Sequence, residues 1–171
     1  LVVIAICGTP GTGKSELAKL FGKNGFCVIH LSRFVIENML YQGYDKRRGA
    51  YIIDEERLVG KLKDILSKYK DVVIEGVGAE AIPSKLVDIC IVLTCEPFML
   101  ERRLTERGFP YEKIQENLEA ERFGIILGEA ISNYGRSKVM VFDTTYTSIE
   151  ELYRVVVDEL RRRGIKIRNT P

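Results

Sequence analysis

The sequence predicts a three-layer α/β/α domain with a central five-stranded parallel sheet. Three observations predict it. Apolar runs of strand length recur at residues 1–7, 27–30, 71–75, 88–94 and 138–143, helical patterns lie between them, and a glycine-rich run, 8–15, follows the first strand directly. Strands that alternate with helices pair in parallel and carry those helices on both faces. The 171 residues suit one domain spanning the whole chain, with enough surface to bury for a single core.

Residues 1–7 are apolar without interruption, as a central strand covered on both faces requires. From Lys14 to about Asn24 the pattern turns helical, with Leu17, Ala18, Leu20 and Phe21 on one face and Gly25 as the stop. Residues 27–30 form a second strand, and Ser32 is placed to cap a helix over about 33–41 that Gly43 ends. Residues 42–53 are charged and aromatic and read as turn-like. Asp54, Glu55 and Glu56 put acid at the start of a helix that runs to about Lys68, with Leu58, Leu62 and Ile65 inside. A strand over 71–75 closes on Gly76 and Gly78, and another spans 88–94. Pro97 suits the first turn of a helix to about Arg107. After Gly108-Phe109-Pro110, one helix is expected over 111–131, then a strand over 138–143 and a helix over about 148–163.

Composition narrows the function classes. Charged residues make up 29% and apolar residues 46%, an ordinary globular balance. No apolar run reaches the roughly 20 residues of a membrane-spanning helix, and the first is too short for a signal peptide, so a cytoplasmic location is expected. Cys7, Cys27, Cys90 and Cys95 lack metal-ligand spacing and read as small buried hydrophobes. The net charge of +2 is no nucleic-acid signature, but the positive charge is clustered: Lys46 to Arg48, Arg102, Arg103 and Arg107, and Arg161 to Arg163 with Lys166 and Arg168. Each cluster by itself fits a solvated face; chemistry on polyphosphates requires some of them to converge. Contact between RNA and the basic tail is one further expectation.

The chemistry begins at Gly8-Thr9-Pro10-Gly11-Thr12-Gly13-Lys14-Ser15. A tight loop poor in side chains lets several backbone N–H groups face one phosphate chain, and the helix that follows adds its own free N–H groups and positive end. Gly8, Pro10, Gly11, Thr12 and Gly13 would form this cradle for ATP. Lys14 would reach the β- and γ-phosphates, and the Ser15 hydroxyl would hold Mg²⁺. The Gly-x-Gly-x-x-Gly spacing of dinucleotide folds is absent. Magnesium there calls for a carboxylate at the end of a neighbouring strand, and Glu75 occupies that position; the alternatives for Glu75 are loop capping or pairing with an arginine. Asp45 and Asp54, in the insertion between the second and third strands, are better suited to setting loop geometry or contacting the second nucleotide, with helix capping a further role for Asp54. Arg103 and Arg107 flank the Gly108-Phe109-Pro110 break, so a short lid over about 103–113 can bring guanidinium groups onto a transferring phosphoryl; the alternative is ordinary surface charge. A short lid favours a nucleotide kinase over a motor or a switch GTPase, and the Asn-Lys-x-Asp base-recognition motif is missing.

At this point the chain resembles the atypical adenylate kinases of archaea and eukaryotes that are linked to maturation of the small ribosomal subunit. The resemblance rests on residues 8–15, Tyr41-Gln42-Gly43-Tyr44-Asp45, residues 53–58, the strand ending in Glu75, residues 101–109 and residues 116–121, in order over nearly the whole chain. It implies a nucleoside monophosphate kinase fold and Mg²⁺-dependent phosphoryl transfer from ATP to AMP. It also implies possible ATP hydrolysis on a small-subunit ribosomal protein of the S11 family. The insertion at about 33–57 would then surround the acceptor, Arg103 and Arg107 would serve the lid, and residues 143–145, Thr144 among them, would lie near the adenine. Two departures stand out. Where the family often has Asp and then His after the third strand, this chain has Glu75 and Val77. A family arginine ahead of the Tyr-x-Gly-Tyr-Asp run falls on Ile36, and Arg33 is the nearest substitute.

Overall fold

A computed structural model describes residues 2–167. The main sheet has five strands in the order β2 (Cys27–His30), β5 (Asp71–Glu75), β1 (Val2–Cys7), β6 (Ile89–Thr94) and β7 (Val139–Asp143), and every pairing is parallel. From β1 the chain crosses to the β2 edge, returns to place β5 beside β1, and then continues on the other side of β1 through β6 to β7, so the loops after β1 and β5 meet at the C-terminal ends of the strands, where open α/β sheets bind their ligands.

Both faces of the sheet are covered. On one, α1 (Lys14–Lys23) and α7 (Ile149–Arg162) pack Leu17, Phe21, Leu152, Val156 and Leu160 against Ile4, Ile6 and Ile91. On the other, α2 (Leu31–Glu37), α3 (Glu55–Lys68) and α6 (Ile125–Tyr134) bring Val35, Leu58, Leu62, Ala130 and Tyr134 onto Ala5, Ile74 and Val92. The two central strands β1 and β6 are buried nearly throughout, which is why they read as apolar runs without alternation. A smaller cluster, Leu100 and Leu104 of α4 (Pro97–Glu106) with Ile114 and Leu118 of α5 (Tyr111–Arg122), joins these two helices above the strand ends.

Three expectations are corrected. Residues 42–53 are not a turn-like segment but part of an antiparallel hairpin, β3 (Tyr41–Asp45) with β4 (Ala50–Ile53). Cross-strand aromatic contact stabilises it, Tyr51 lying 4.4 Å from Tyr41 and 5.1 Å from Tyr44 between ring centroids. Asp45 shapes its turn by accepting hydrogen bonds from the N–H groups of Arg47 and Arg48. Second, 111–131 is two helices: Gly124 takes a left-handed φ of 61° between α5 and α6, a break that helical periodicity on both sides conceals. Third, α2 starts at Leu31, directly after β2, with His30 rather than Ser32 at its N-cap position, and ends at Glu37. Asp54 does cap α3, accepting from the Arg57 N–H, and Ser148 caps α7 in the same way.

Two one-turn 3₁₀ segments, Ala79–Ala81 and Ser84–Leu86, carry the chain from β5 to β6. Cys7, Cys90 and Cys95 are buried and Cys27 is half-buried. The Cys7 and Cys90 sulfurs lie 3.4 Å apart, and their hydrogen bond, together with burial, pushes the Cys7 thiol far above the usual range. Among the described residues, no helix is long and apolar enough to cross a membrane.

Candidate active site

A cleft of about 720 Å³ opens at the C-terminal ends of β1 and β5. Pro10, Gly11, Thr12, Gly13, Lys14, Ser15, Glu75, Arg103, Arg107 and Thr144 all line it, so residues read from distant parts of the sequence meet in one place. Gly8 forms the base of the loop. Its φ of +146° is closed to most side chains, and a Cβ there would come within 2.4 Å of the Leu93 carbonyl oxygen. Gly11 rests on α4, where an added Cβ would meet Leu100 and Leu104 at 3.0 and 3.1 Å. The loop is thus wedged between β6 and α4.

Three donors converge on one carbonyl inside the loop: the Thr12 N–H, the Thr12 hydroxyl and the Lys14 ammonium, the last at 3.2 Å from Thr9 O. Lys14 is buried, and burial draws its pKa below the ordinary lysine value while Glu75 pulls it the other way. The Ser15 hydroxyl donates to Glu75 Oε1 at 3.2 Å. Glu75, at the end of β5, is itself buried. Hard oxygen donors in this arrangement suit magnesium, which takes few protein ligands and completes its shell with phosphate and water oxygens.

Arg103 is not surface charge. Its guanidinium donates to the carbonyls of Gly11 and Thr144 and to the Thr144 hydroxyl, at 3.2, 2.7 and 3.1 Å. Thr144 in turn donates to Thr12 O, so α4, the phosphate loop and the loop after β7 form one hydrogen-bonded unit. Arg107, at the end of α4, is exposed and lies over the Phe109 ring at 5.1 Å. Arg102 is exposed, does not line the cleft, and pairs with Glu106, which does. The other basic clusters do not converge on the cleft. Lys46 to Arg48 are exposed at the hairpin turn, Arg161, Arg162 and Arg163 pair with Asp158 and Glu159, and Arg168 lies outside the described residues.

Several residues around the site carry no local sequence signal. His30 Nδ1 lies 2.6 Å from Glu75 Oε1. Glu121 of α5 accepts from the Thr9 hydroxyl and the Cys95 N–H, tying the phosphate loop to the helix pair above it. Glu80 is buried behind Gly78, whose N–H donates to both its oxygens, and burial pushes its carboxyl above the usual carboxylate range. Each depends on which strand or helix ends up beside which, and spacing along the chain does not encode that.

Residues 4–124 match the family model described as an AAA domain. The chain is 36% identical over 159 residues to a protein of Saccharolobus solfataricus, covering 92% of this chain and 83% of that one. It is 35% identical to the adenylate kinase isoenzyme 6 homolog of Caenorhabditis elegans, covering 89% and 86%, and 33% identical to the adenylate kinase isoenzyme 6 homolog FAP7 of Saccharomyces cerevisiae, covering 91% and 81%. Among solved structures, a thymidylate kinase of Candida albicans superposes with a TM-score of 0.65 at 14% identity, over 99% of this chain and 95% of that one. A shikimate kinase of Bacteroides thetaiotaomicron gives 0.62 at 19%, over 94% and 98%. These two likenesses show the fold alone, that of P-loop nucleoside monophosphate kinases and their neighbours. With this fold, the complete phosphate loop and identity along most of both chains, the protein belongs to the adenylate kinase isoenzyme 6-like family of archaea and eukaryotes.

Proposed function

We propose that the protein is an adenylate kinase, transferring the γ-phosphoryl group of Mg·ATP to AMP to give two ADP. One observation carries this reading: Lys14, Ser15, Glu75, Arg103 and Arg107, scattered over the sequence, line a single cleft at the phosphate loop. Family membership supports it.

In this reading the N–H groups of the 8–15 loop and of the first turn of α1 hold the ATP phosphates, and Lys14 leaves Thr9 O for the β- and γ-oxygens. Ser15 and Glu75 would hold magnesium, Ser15 by its hydroxyl and Glu75 by orienting its water, and the ion would neutralise charge on the phosphates. Arg103 keeps the loop and the 143–145 segment in register, with Thr144 beside the adenine, and Arg107 sits at the hinge of a short lid, about 103–113. The segment 33–57, which comprises α2, the hairpin and the start of α3, receives AMP. The acceptor phosphate is already anionic, so transfer needs positioning and charge stabilisation more than a strong base. A coupled assay with ATP, AMP and Mg²⁺ should form ADP well above the rate with ATP alone, and faster than with CMP as acceptor. No response to AMP would remove the kinase reading.

Family membership also favours a second activity, slow ATP hydrolysis coupled to small-subunit maturation through a ribosomal protein of the S11 family. A purified S11-family protein should then be captured in an ATP-dependent manner and raise the ATPase rate. Unchanged hydrolysis with that partner would set this reading aside.

A further inference from the structure

Glu75 has a partner to which the proposed reaction gives no role. His30, the only histidine in the sequence, ends β2. It stands opposite Glu75 in the parallel register of β2 and β5, so the sheet itself delivers both side chains to one face at its C-terminal edge. The imidazole Nδ1 lies 2.6 Å from Glu75 Oε1, the same oxygen that accepts from Ser15 at 3.2 Å. The Glu75 side chain is 7% exposed and that of His30 is 38% exposed. Oε1 already accepts from Ser15, the role of an oxygen that carries no hydrogen, which assigns the hydrogen of this contact to Nδ1. With Ser15 alone as donor, a glutamate, with one more torsion than an aspartate, can pivot about that single bond; a second donor from a different strand fixes its plane. Val77, 56% exposed two residues beyond, has no group to offer in its place.

We propose that His30 is a positioning residue: its Nδ1–H holds the Glu75 carboxylate in the orientation that, with Ser15, receives the magnesium of bound nucleotide. The inference rests on the reading of Ser15 and Glu75 as the magnesium side of the site. Partners that orient a metal-binding group in this way typically change metal affinity 10–100-fold when removed.

The test measures ADP binding by calorimetry, with and without Mg²⁺, in the wild type, His30→Ala and His30→Asn. ¹⁵N NMR of the wild-type imidazole accompanies it. Binding without metal should be the same in all three proteins. The gain in affinity that Mg²⁺ confers should fall about tenfold in His30→Ala. His30→Asn should restore most of it, because the amide nitrogen takes the place of Nδ1. NMR should show the Nδ1–H tautomer. A magnesium-dependent wild type matched by His30→Ala, an equal loss of metal-free and magnesium-bound affinity, or a bare Nδ1 would each overturn the proposal alone. A wild type whose nucleotide binding ignores magnesium would sink the underlying reading of Ser15 and Glu75 as well.

Discussion

Replacing Arg103 with alanine should separate two kinds of arginine that look alike in the sequence. The Arg103 guanidinium makes three hydrogen bonds, and Thr144, which accepts two of them, is 4% exposed. Truncation takes the arginine donor from the buried Thr144 carbonyl, a change worth about 1–3 kcal/mol, and loses two further charge-assisted bonds that water replaces in part. A net loss of about 2–3 kcal/mol follows, and for a domain of this size each kcal/mol moves the melting temperature by about 2–4 °C. Arg103→Ala should therefore melt about 5–10 °C below the wild type. Arg107 is exposed and lies over the Phe109 ring, an interaction worth about 0.5–1 kcal/mol at such a site. Arg107→Ala should leave stability nearly unchanged and lower kcat more than ATP affinity, if its charge acts mainly in the transition state. Scanning calorimetry with the coupled ADP assay reads both quantities. Melting of Arg103→Ala within about 2 °C of the wild type, or an equal loss in Arg107→Ala, would refute the division of labour.

Two other substitutions test the phosphate loop. Lys14→Met should abolish Mg·ATP binding yet raise the melting temperature at neutral pH, because burial disfavours the charged ammonium in the fold. The folded pKa lies below the unfolded value, so the wild type carries this cost fully below the lowered pKa and sheds it as pH rises toward 10.5; the gap between the two proteins should narrow over that window. A Lys14→Met protein less stable than the wild type would contradict the burial argument. Gly8→Ala drives a Cβ to 2.4 Å from Leu93 O at a φ of +146°, and should cost about 2–4 kcal/mol in denaturant unfolding while abolishing nucleotide binding. A stable, active variant would mean the loop is not wedged on β6.

The sequence by itself determined the layer architecture, the five parallel strands, the phosphate-loop motif and residues that line the cleft. Apolar runs, helical spacing and the 8–15 motif are local signals, and the forces behind them, burial of a strand on both faces and glycine conformation in a tight loop, act within a few residues. Tertiary structure decided the rest. Tyrosines that meet across strands stabilise the hairpin at 41–53, and α5 stops short of Gly124, where one backbone angle turns left-handed inside an otherwise helical pattern. Arg103 binds the phosphate loop while Arg102, its neighbour, stays exposed and pairs along the helix with Glu106, a choice set by how α4 packs on Gly11. His30 meets Glu75 only through the pairing of β2 with β5, 45 residues apart in sequence. Such contacts depend on strand order and helix rotation, which the long-range packing of the core selects and no short stretch of sequence records.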